Sequence, residues 1–227
     1  ADKNNLKFRP HFKTHQSAIV GNWFKEIGVD SISVSSVDMA KYFAGHGWDN
    51  ITIAFLLNVL ELDEINKLSK KISLNILIDS PESLSFLKQK IENQIGIYIK
   101  IDAGYGRTGV QAENIEELRI LINEIKKCDK LMFRGFLTHS GNTYYTASKD
   151  EIKNIFFEVK NKMISLKKHF SKYGDIEISV GDTPSCSIID DFSGIDEIRP
   201  GNFVFYDVMQ KYLDSCIYED IAVALAC

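Results

Sequence analysis

Eight short apolar, β-prone segments alternate with amphipathic segments along the chain of 227 residues, and this alternation limits the fold more than any other feature. Strands that alternate with helices predict a parallel sheet with right-handed crossovers. Eight such units close a (β/α)8 TIM barrel, and the chain has a suitable length for that fold. The predicted strands are Phe8–Lys13, Ser31–Ser35, Ile51–Phe55, Leu74–Ile78, Ile97–Ile101, Phe133–Thr138, Ile176–Val180 and Glu197–Arg199. The predicted helices are Ser17–Ile27, Val37–Ala44, Leu62–Lys71, Pro81–Glu92, Ile115–Lys127 and Lys149–Tyr173, with a shorter one at Ser185–Asp190.

An open, doubly wound sheet is the alternative arrangement of the same elements. It is disfavoured because no glycine fingerprint for a dinucleotide follows the first strand. The alternation stops after strand eight, where Asp207–Glu219 has mixed character and Ile221–Cys227 is a new strand-like run. We therefore expect a barrel over residues 1–206. Residues 207–227 are expected to form a linker and the first strand of a C-terminal β-rich domain that is missing from this chain.

Polar and glycine-rich clusters follow five of the predicted strands, each at the carboxyl end of its strand. In a barrel of this kind those ends meet at one rim, where the active site lies. The clusters are Arg9–His15, Asp102–Gly109, His139–Tyr144, Gly181–Ser185 and Arg199–Phe203, the last leading to Tyr206. The pattern predicts one functional site at the carboxyl rim of the barrel.

Two kinds of chemistry are suggested by these clusters. Lys13 ends a buried strand, where desolvation lowers the pKa of a lysine and makes its amine nucleophilic. The loops after strands seven and eight usually bind phosphate in such barrels. Gly181, Thr183, Gly201 and Asn202 can offer backbone N–H groups and a hydroxyl to an anion there. A nucleophilic amine opposite a phosphate site is therefore expected.

Other polar residues of the rim fit the same ligand. Only five of the 27 basic residues are arginines, and Arg107 stands in a glycine-rich turn that lets a guanidinium approach a ligand oxygen closely. The imidazole of His139 could stack on a flat ring. Each residue alone more often has an ordinary structural role, but their collection at one rim favours a functional one. His11 and His15 could instead bind a metal ion, although on an extended segment their spacing does not bring two ligands together.

The cluster Arg9-Pro10-His11-Phe12-Lys13-Thr14-His15 resembles the Arg-Pro-His-x-Lys-Thr-His block of the fold-type III pyridoxal-phosphate enzymes, which share the alanine racemase barrel. Residues 102–109 resemble the family's Asp-x-Gly-x-x-Arg-x-Gly turn, and residues 141–144 resemble the segment after its strand-six histidine. Residues 181–184 and 199–202 resemble its two phosphate loops. The resemblance covers nearly the whole barrel and is nearest to the D-threonine aldolase and D-serine dehydratase branch.

This resemblance implies pyridoxal 5'-phosphate as the cofactor, carried by Lys13 as a Schiff base. Arg107 lies where the family places an arginine near the phenolic oxygen, and His139 lies where a histidine stacks on the ring. Together with Lys13 they form the implied catalytic set. The further residues implied in cofactor binding are Asn142, Tyr144, Gly181, Asp182, Thr183, Gly201, Asn202 and Tyr206. Two positions depart from the pattern. Gln16 replaces a second lysine, and Asp182 puts a carboxylate in a phosphate loop, which is unfavourable unless it points away.

The implied activity is that of a lyase on D-configured β-hydroxy amino acids, by retro-aldol cleavage or by loss of the β-hydroxyl. In this branch a divalent metal assists the reaction, and we expect its ligands to come from the missing C-terminal domain. An amino-acid racemase of the alanine racemase type is the first alternative and needs a second base on the opposite face. A non-catalytic pyridoxal-phosphate-binding protein is the next, although such proteins are single barrels. A barrel enzyme that binds a phosphorylated metabolite without a cofactor is the last.

Net charge and composition indicate which kinds of binding partner the protein is expected to have. The net charge of −4 disfavours nonspecific binding to nucleic acid, and no apolar run is long enough to cross a membrane. The four cysteines, Cys128, Cys186, Cys216 and Cys227, form no CxxC pair, so we expect free thiols in a reducing compartment. We expect a cytoplasmic protein, a small amino-acid substrate and a homodimer.

Overall fold

Nine parallel strands, most of them largely buried, are present in the computed structural model, which describes residues 1–225. Eight of these strands form the wall of a barrel in the order β1-β9-β8-β7-β5-β4-β3-β2, and β6 is a short addition paired with the end of β5. The strands are β1 (Lys7–Phe8), β2 (Ile32–Val34), β3 (Asn50–Leu56), β4 (Ser73–Ile78), β5 (Ile95–Asp102), β6 (Val110–Gln111), β7 (Leu131–Leu137), β8 (Glu177–Val180) and β9 (Glu197–Ile198).

The barrel closes between β1 and β2, just beyond the end of β1. Proline at position 10 has no N–H to donate, which ends the regular ladder after Phe8. The carbonyl of Pro10 still accepts a hydrogen bond from the Ser33 N–H, and the Phe12 N–H donates to the Ser33 carbonyl, both at 2.9 Å. His11 forms an isolated parallel bridge with Ser33. The (β/α)8 barrel predicted from the sequence is confirmed.

Eight helices connect the strands or follow the last one. Seven of them begin with a side chain that accepts a backbone N–H of the first turn, namely Ser17, Ser36, Ser80, Asn114, Ser148, Asp182 and Asp207. These caps define where each loop of the carboxyl rim ends. The helices are α1 (Ala18–Glu26), α2 (Val37–Gly45), α3 (Leu62–Ser69), α4 (Pro81–Lys90), α5 (Ile115–Lys126), α6 (Lys149–His169), α7 (Thr183–Ile188) and α8 (Val208–Tyr212).

The core has a large apolar layer and a small, mixed one. The large cluster unites strand residues with the buried faces of the helices. Leu77, Tyr98 and Leu137 form a separate cluster. Buried polar side chains alternate along the strands with members of the large cluster; among them are Ser33, Thr52, Asn75, Lys100, Ser179 and Glu197. Since successive strand side chains point to opposite faces, these residues fill the inside of the barrel. Its interior is therefore strongly polar.

The segment after β9 differs from the prediction. Helix α8 follows the barrel, and residues 221–225 pair with no strand of the described chain, although the Ala222 N–H donates to the Phe205 carbonyl at 2.8 Å. The rest of the predicted strand, residues 226 and 227, lies outside the described residues, as does Cys227. The other three cysteines are free thiols. Over residues 1–225, no helix combines the length and apolar character that crossing a bilayer requires.

Candidate active site

A cavity of about 310 Å³ opens at the carboxyl rim of the barrel. Eight of the residues singled out from the sequence line it: Lys13, Arg107, His139, Tyr144, Gly181, Asp182, Gly201 and Asn202. Further lining residues are His11, Thr14, Ser35, Ala54, Phe55, Leu56, Leu77, Lys100, Asp102, Tyr105, Thr108, Leu137 and Arg199. The structure thus brings most of the predicted site residues together in one cavity. They include Lys13 and Gly201, which are far apart in the sequence.

Lys13 stands in the loop that follows β1, at the mouth of the cavity. The cavity wall removes part of its hydration, and this lowers its pKa; the positive charge of Arg107 lowers it further. The backbone of the loop is held by the Lys13 N–H, which donates to Nδ1 of His11 at 3.3 Å. A lysine with a depressed pKa has a larger fraction of free amine, which is the nucleophilic form.

Asp102 organises the loop that carries Arg107. Its Oδ1 accepts hydrogen bonds from the N–H groups of Gly104 at 2.9 Å and Gly106 at 3.1 Å, while Oδ2 accepts from Gln111 at 3.0 Å. Burial opposes ionisation of the carboxyl, but these hydrogen bonds outweigh it and lower its pKa. Gly104 and Gly106 have positive φ angles of 128° and 73°, which explains the glycines of this turn. Arg107 is exposed at its tip.

His139 follows β7 and is held in a single tautomer. Its Nδ1 lies 2.5 Å from the Gly181 carbonyl, and because a carbonyl only accepts, Nδ1 must carry the proton. Burial lowers the pKa of His139 to about 4, and the charges of Lys13, Arg199 and Lys100 act in the same direction. The ring is therefore neutral near pH 7, with Nε2 as an acceptor.

Acidification should destabilise the protein through His139. Its native pKa of about 4 lies below the unfolded value of about 6.5, so the unfolded chain binds the proton first and stability falls as the pH drops through this range. Between about pH 7.5 and about pH 5, urea unfolding of the wild type should lose about 2 kcal/mol more than that of His139→Gln. An equal loss in both proteins would contradict the assignment. Asp182, whose buried carboxyl has its pKa raised to about 6, titrates with the opposite sign but is common to both proteins.

The loop after β9 packs directly against the Lys13 loop, and the loop after β8 packs against Arg199 at the end of β9. A Cβ on Gly201 would lie 3.1 Å from the His11 carbonyl oxygen and 3.2 Å from Oγ1 of Thr14. A Cβ on Gly181 would lie 2.9 Å from the carbonyl oxygen of Arg199. Both glycines thus allow loops to approach one another closely, in addition to any approach of the backbone to a ligand. The two loops are also joined by the Asn202 N–H, which donates to Oγ1 of Thr183 at 3.0 Å.

The side chain of Asp182 serves its own loop. Its Oδ1 accepts the Ser185 N–H at 2.7 Å, which caps α7, and lies 3.0 Å from the Thr143 hydroxyl. These contacts account for a carboxylate in a loop that resembles a phosphate loop. Asp182 also lines the cavity, while its Oδ1 is used in this cap.

Three of the predicted cofactor-binding residues do not line the cavity. Thr183 is fully buried, and its N–H donates to the Tyr144 hydroxyl at 3.2 Å. Asn142 is partly buried, and its Oδ1 has no hydrogen-bond partner among the described residues. Tyr206 has a positive φ of 49°, and its hydroxyl lies 3.1 Å from Oγ of Ser187. Thr183 nevertheless contacts two lining residues, Tyr144 and Asn202.

Two polar residues of the cavity, Ser35 and Lys100, lie outside the clusters identified from the sequence. Other polar lining residues lie within those clusters but were given no cofactor role: His11, Thr14, Asp102, Tyr105, Thr108 and Arg199. Lys100 is buried, and burial lowers its pKa to about 8; its Nζ donates to the Ile101 carbonyl at 2.9 Å. Tyr105 packs edge-on to His139, with ring centroids 6.3 Å apart, and occupies the space that a Cβ on Gly141 would need. A charged residue inside an apolar strand, as at position 100, was the available signal.

Cations outnumber carboxylates in this cavity. Lys13, Lys100, Arg107 and Arg199 line it, whereas Asp102 and Asp182 are the acidic lining residues, both engaged by neighbouring N–H groups. His11 and His15, considered above as metal ligands, lie apart: His15 packs against Phe12, and over residues 1–225 no cluster of three His, Cys, Asp or Glu side chains could hold a metal ion. The cavity is suited to an anionic ligand of a few hundred Å³.

A barrel with a lysine in the loop after its first strand and glycine-rich loops after its last two belongs to a known class. Residues 4–208 match the family described as "Alanine racemase, N-terminal domain", and the chain belongs to this family. The resemblance inferred from the sequence blocks is confirmed, and the family implies pyridoxal phosphate as the cofactor.

Comparison with individual proteins shows which members of this family the chain resembles. It is 30% identical to the D-serine dehydratase of Dictyostelium discoideum, over 96% of this chain and 60% of that protein. Among solved structures, the D-threo-3-hydroxyaspartate dehydratase from Delftia sp. HT23 superimposes with a TM-score of 0.90 at 23% identity, covering 97% of this chain and 60% of that one. The D-threonine aldolase from Filomicrobium marinum gives 0.82 at 20% identity, covering 93% and 58%. The chain thus spans about 60% of the length of these relatives.

Proposed function

We propose that this cavity binds pyridoxal 5'-phosphate and that Lys13 is its attachment point. The observation that carries the proposal is a lysine of lowered pKa in the wall of a cavity where cations outnumber carboxylates. The residues present fit the group: four cations line the cavity against two carboxylates that neighbouring N–H groups already engage, and the loops at Gly181 and Gly201 lack the Cβ atoms that would crowd them. When bound, pyridoxal phosphate supplies an electron sink for a carbanion at the α-carbon of an amino acid.

The residues of the chain divide the remaining tasks. The loops at residues 181–183 and 201–202 would hold the phosphate, with Tyr144 beside them. In this structure the N–H groups of Thr183 and Asn202 donate to Tyr144 and to Oγ1 of Thr183. Arg107, exposed at the tip of its glycine turn, would orient a phenolic or carboxylate oxygen. His139 is neutral and offers its ring face and Nε2. The amine of Lys13, once free, would take a proton at the α-carbon, because its lowered pKa enlarges the fraction of unprotonated amine that can act as a base.

We further propose that the whole protein is a lyase acting on D-configured β-hydroxy amino acids. The identity with a D-serine dehydratase and the motif at residues 141–144 support this branch over the racemases. Among residues 1–225, no cluster of three His, Cys, Asp or Glu side chains could hold a metal ion. We propose that any divalent metal that assists loss or cleavage at the β-hydroxyl is held by residues outside this range.

Residues 207–227 would then join the barrel to a second, β-rich domain. Several large apolar side chains are exposed in this short segment: Val208, Met209, Tyr212, Ile217, Tyr218, Val223 and Leu225. An exposed apolar cluster of this kind is typical of a surface that another part of a protein covers. We also propose that the protein is a homodimer that binds small amino acids, and that it is cytoplasmic. The three free thiols of the described chain support the cytoplasmic location.

The test of the lyase proposal is an assay of the longest natural form of the protein with D-threonine, D-serine and D-alanine, with and without chelator. Glycine plus an aldehyde identifies an aldolase, and a keto acid plus ammonia identifies a dehydratase. We expect one of these products and a loss of at least about tenfold in rate with chelator. Interconversion of D- and L-alanine that resists chelator, with no cleavage, would establish a racemase instead. Failure of the protein to develop visible absorbance with pyridoxal phosphate would reject the whole proposal.

A further inference from the structure

A buried chain of charged groups lies beneath the cavity, inside the barrel. Glu197 of β9 has a fully buried side chain, and its Oε2 accepts a hydrogen bond from Nε of Arg9 at 2.6 Å. Its other oxygen accepts from the Ser179 hydroxyl at 2.5 Å. The same hydroxyl is bonded to Nη1 of Arg199, which lines the cavity. One carboxylate is thus placed between two arginines, directly on one side and through a serine on the other.

The hydrogen bonds of this chain have only one possible direction. A guanidinium donates and never accepts, and a carboxylate only accepts. Ser179 has one proton, which it must give to Glu197, so its lone pairs receive the N–H of Arg199. The register of the sheet places Ser179 directly opposite Glu197, which makes the relay a consequence of the β8–β9 pairing. The order is Arg199 to Ser179 to Glu197.

Arg199 depends on this relay for its position. Its second anchor is the Thr138 carbonyl, which accepts from Nη2 at 2.7 Å. Burial lowers the pKa of Arg199 to about 10, while Glu197 acts in the opposite sense. Among the described residues no carboxylate contacts the Arg199 guanidinium directly. Arg9, in contrast, has Glu197 and Oδ1 of Asn50, the latter at 2.9 Å. Without Ser179, Arg199 would keep one carbonyl and would lose its connection to negative charge.

We infer that Ser179 is a positioning residue: it couples Glu197 to Arg199 and thereby fixes the guanidinium in the cavity wall. The inference rests on the proposed function only for the identity of the ligand. The position of Arg199 itself is a property of the chain without any ligand. The conservative substitution Ser179→Thr keeps the hydroxyl on a β-branched side chain suited to a strand, whereas Ser179→Ala removes the relay.

Ser33 provides a matched control. It is also a fully buried strand serine, but its hydroxyl has no hydrogen-bond partner among the described residues. Ser33→Ala therefore removes the same atom from the same kind of environment without touching Arg199.

The first measurement is the ¹⁵N guanidinium spectrum of the cofactor-free chain, in which the small number of arginines makes assignment practical. Resolved Nη signals of Arg199, which report restricted rotation, should be present in the wild type, in Ser179→Thr and in Ser33→Ala. They should collapse in Ser179→Ala. Collapse in both alanine variants, or in neither, overturns the inference.

The second measurement is the affinity for pyridoxal 5'-phosphate, followed by visible absorbance, together with the thermal midpoint of each variant. Ser179→Ala should bind about tenfold or more weakly than Ser33→Ala, and Ser179→Thr should recover most of this loss. A fall in the thermal midpoint with unchanged affinity would leave Ser179 a purely structural role and reject the inference. If the wild type itself fails to bind, the proposed function is rejected, and the arginine signals alone decide the role of Ser179.

Discussion

Lys13→Ala should abolish covalent attachment of pyridoxal phosphate and lower turnover by about three orders of magnitude. Lys13 is the amine at the mouth of a cavity rich in positive charge, and its lowered pKa favours the nucleophilic form. The measurement is borohydride reduction of the loaded protein, followed by digestion and mass mapping of the pyridoxyl group, in parallel with a visible spectrum of the variant. We expect the label on Lys13 and no visible band in Lys13→Ala.

The informative competitor is Lys100, the other cavity amine with a lowered pKa. Its Nζ is already bonded to the Ile101 carbonyl and is buried, so Lys100→Ala should retain the attached group even if its affinity falls. Lys149→Ala, at the exposed start of α6, controls for the loss of a lysine as such. A pyridoxyl label on Lys100, or a normal visible band in Lys13→Ala, would show that the attachment point is wrong.

Gly201→Val should weaken the binding of pyridoxal phosphate by about a hundredfold while leaving a folded protein. The valine Cβ would sit 3.1 Å from the His11 carbonyl oxygen and 3.2 Å from Oγ1 of Thr14, and its methyl groups would press further into the loop that bears Lys13. Overpacking of this kind costs about 1–3 kcal/mol, which is enough to displace a rim loop but not to unfold a domain. Cofactor titration and urea unfolding measure the two effects separately.

Gly45→Val is the control for this substitution. Position 45 ends α2, a Cβ there would meet nothing within 4 Å, and its φ is not in the left-handed region. It should leave cofactor affinity unchanged. If Gly201→Val binds as well as this control, the close approach of the two loops has no bearing on the site.

The sequence predicts the barrel and the location of its site well because both depend on local patterns. Alternation identifies all eight barrel strands, and serine and proline signals place the helix starts, as at Ser80 and Pro81. Strand ends then indicate which loops share a rim, which brings Lys13 and Gly201 together without any distance information.

What the sequence does not predict depends on partners far along the chain. The ion pair of Arg9 and Glu197 joins the first strand to the last, and nothing near either residue indicates it. From the sequence, the carboxylate of Asp182 is unexpected in a loop that resembles a phosphate loop. The structure explains it, because Oδ1 of Asp182 accepts the Ser185 N–H and caps α7. The end of the first strand was wrong by several residues, because a bridge to Ser33 replaces a regular ladder after Pro10. The sequence pattern of residues 221–225 is typical of a strand, but these residues pair with no strand of the described chain.

The pairing of β1 with β9 also has a consequence for biosynthesis. Lys7 and Phe8 align with Glu197 and Ile198, so the seam beside Lys13 joins the two ends of the barrel sequence. Contacts of such long range form late, since the entropy of closing so large a loop must be overcome before they contribute. A ribosome-bound chain that has not yet released residue 201 lacks Gly201 and Asn202 of the cavity wall. We therefore expect the proposed cofactor to bind only after the barrel has been translated, and we expect Lys13 to be exposed on the nascent chain.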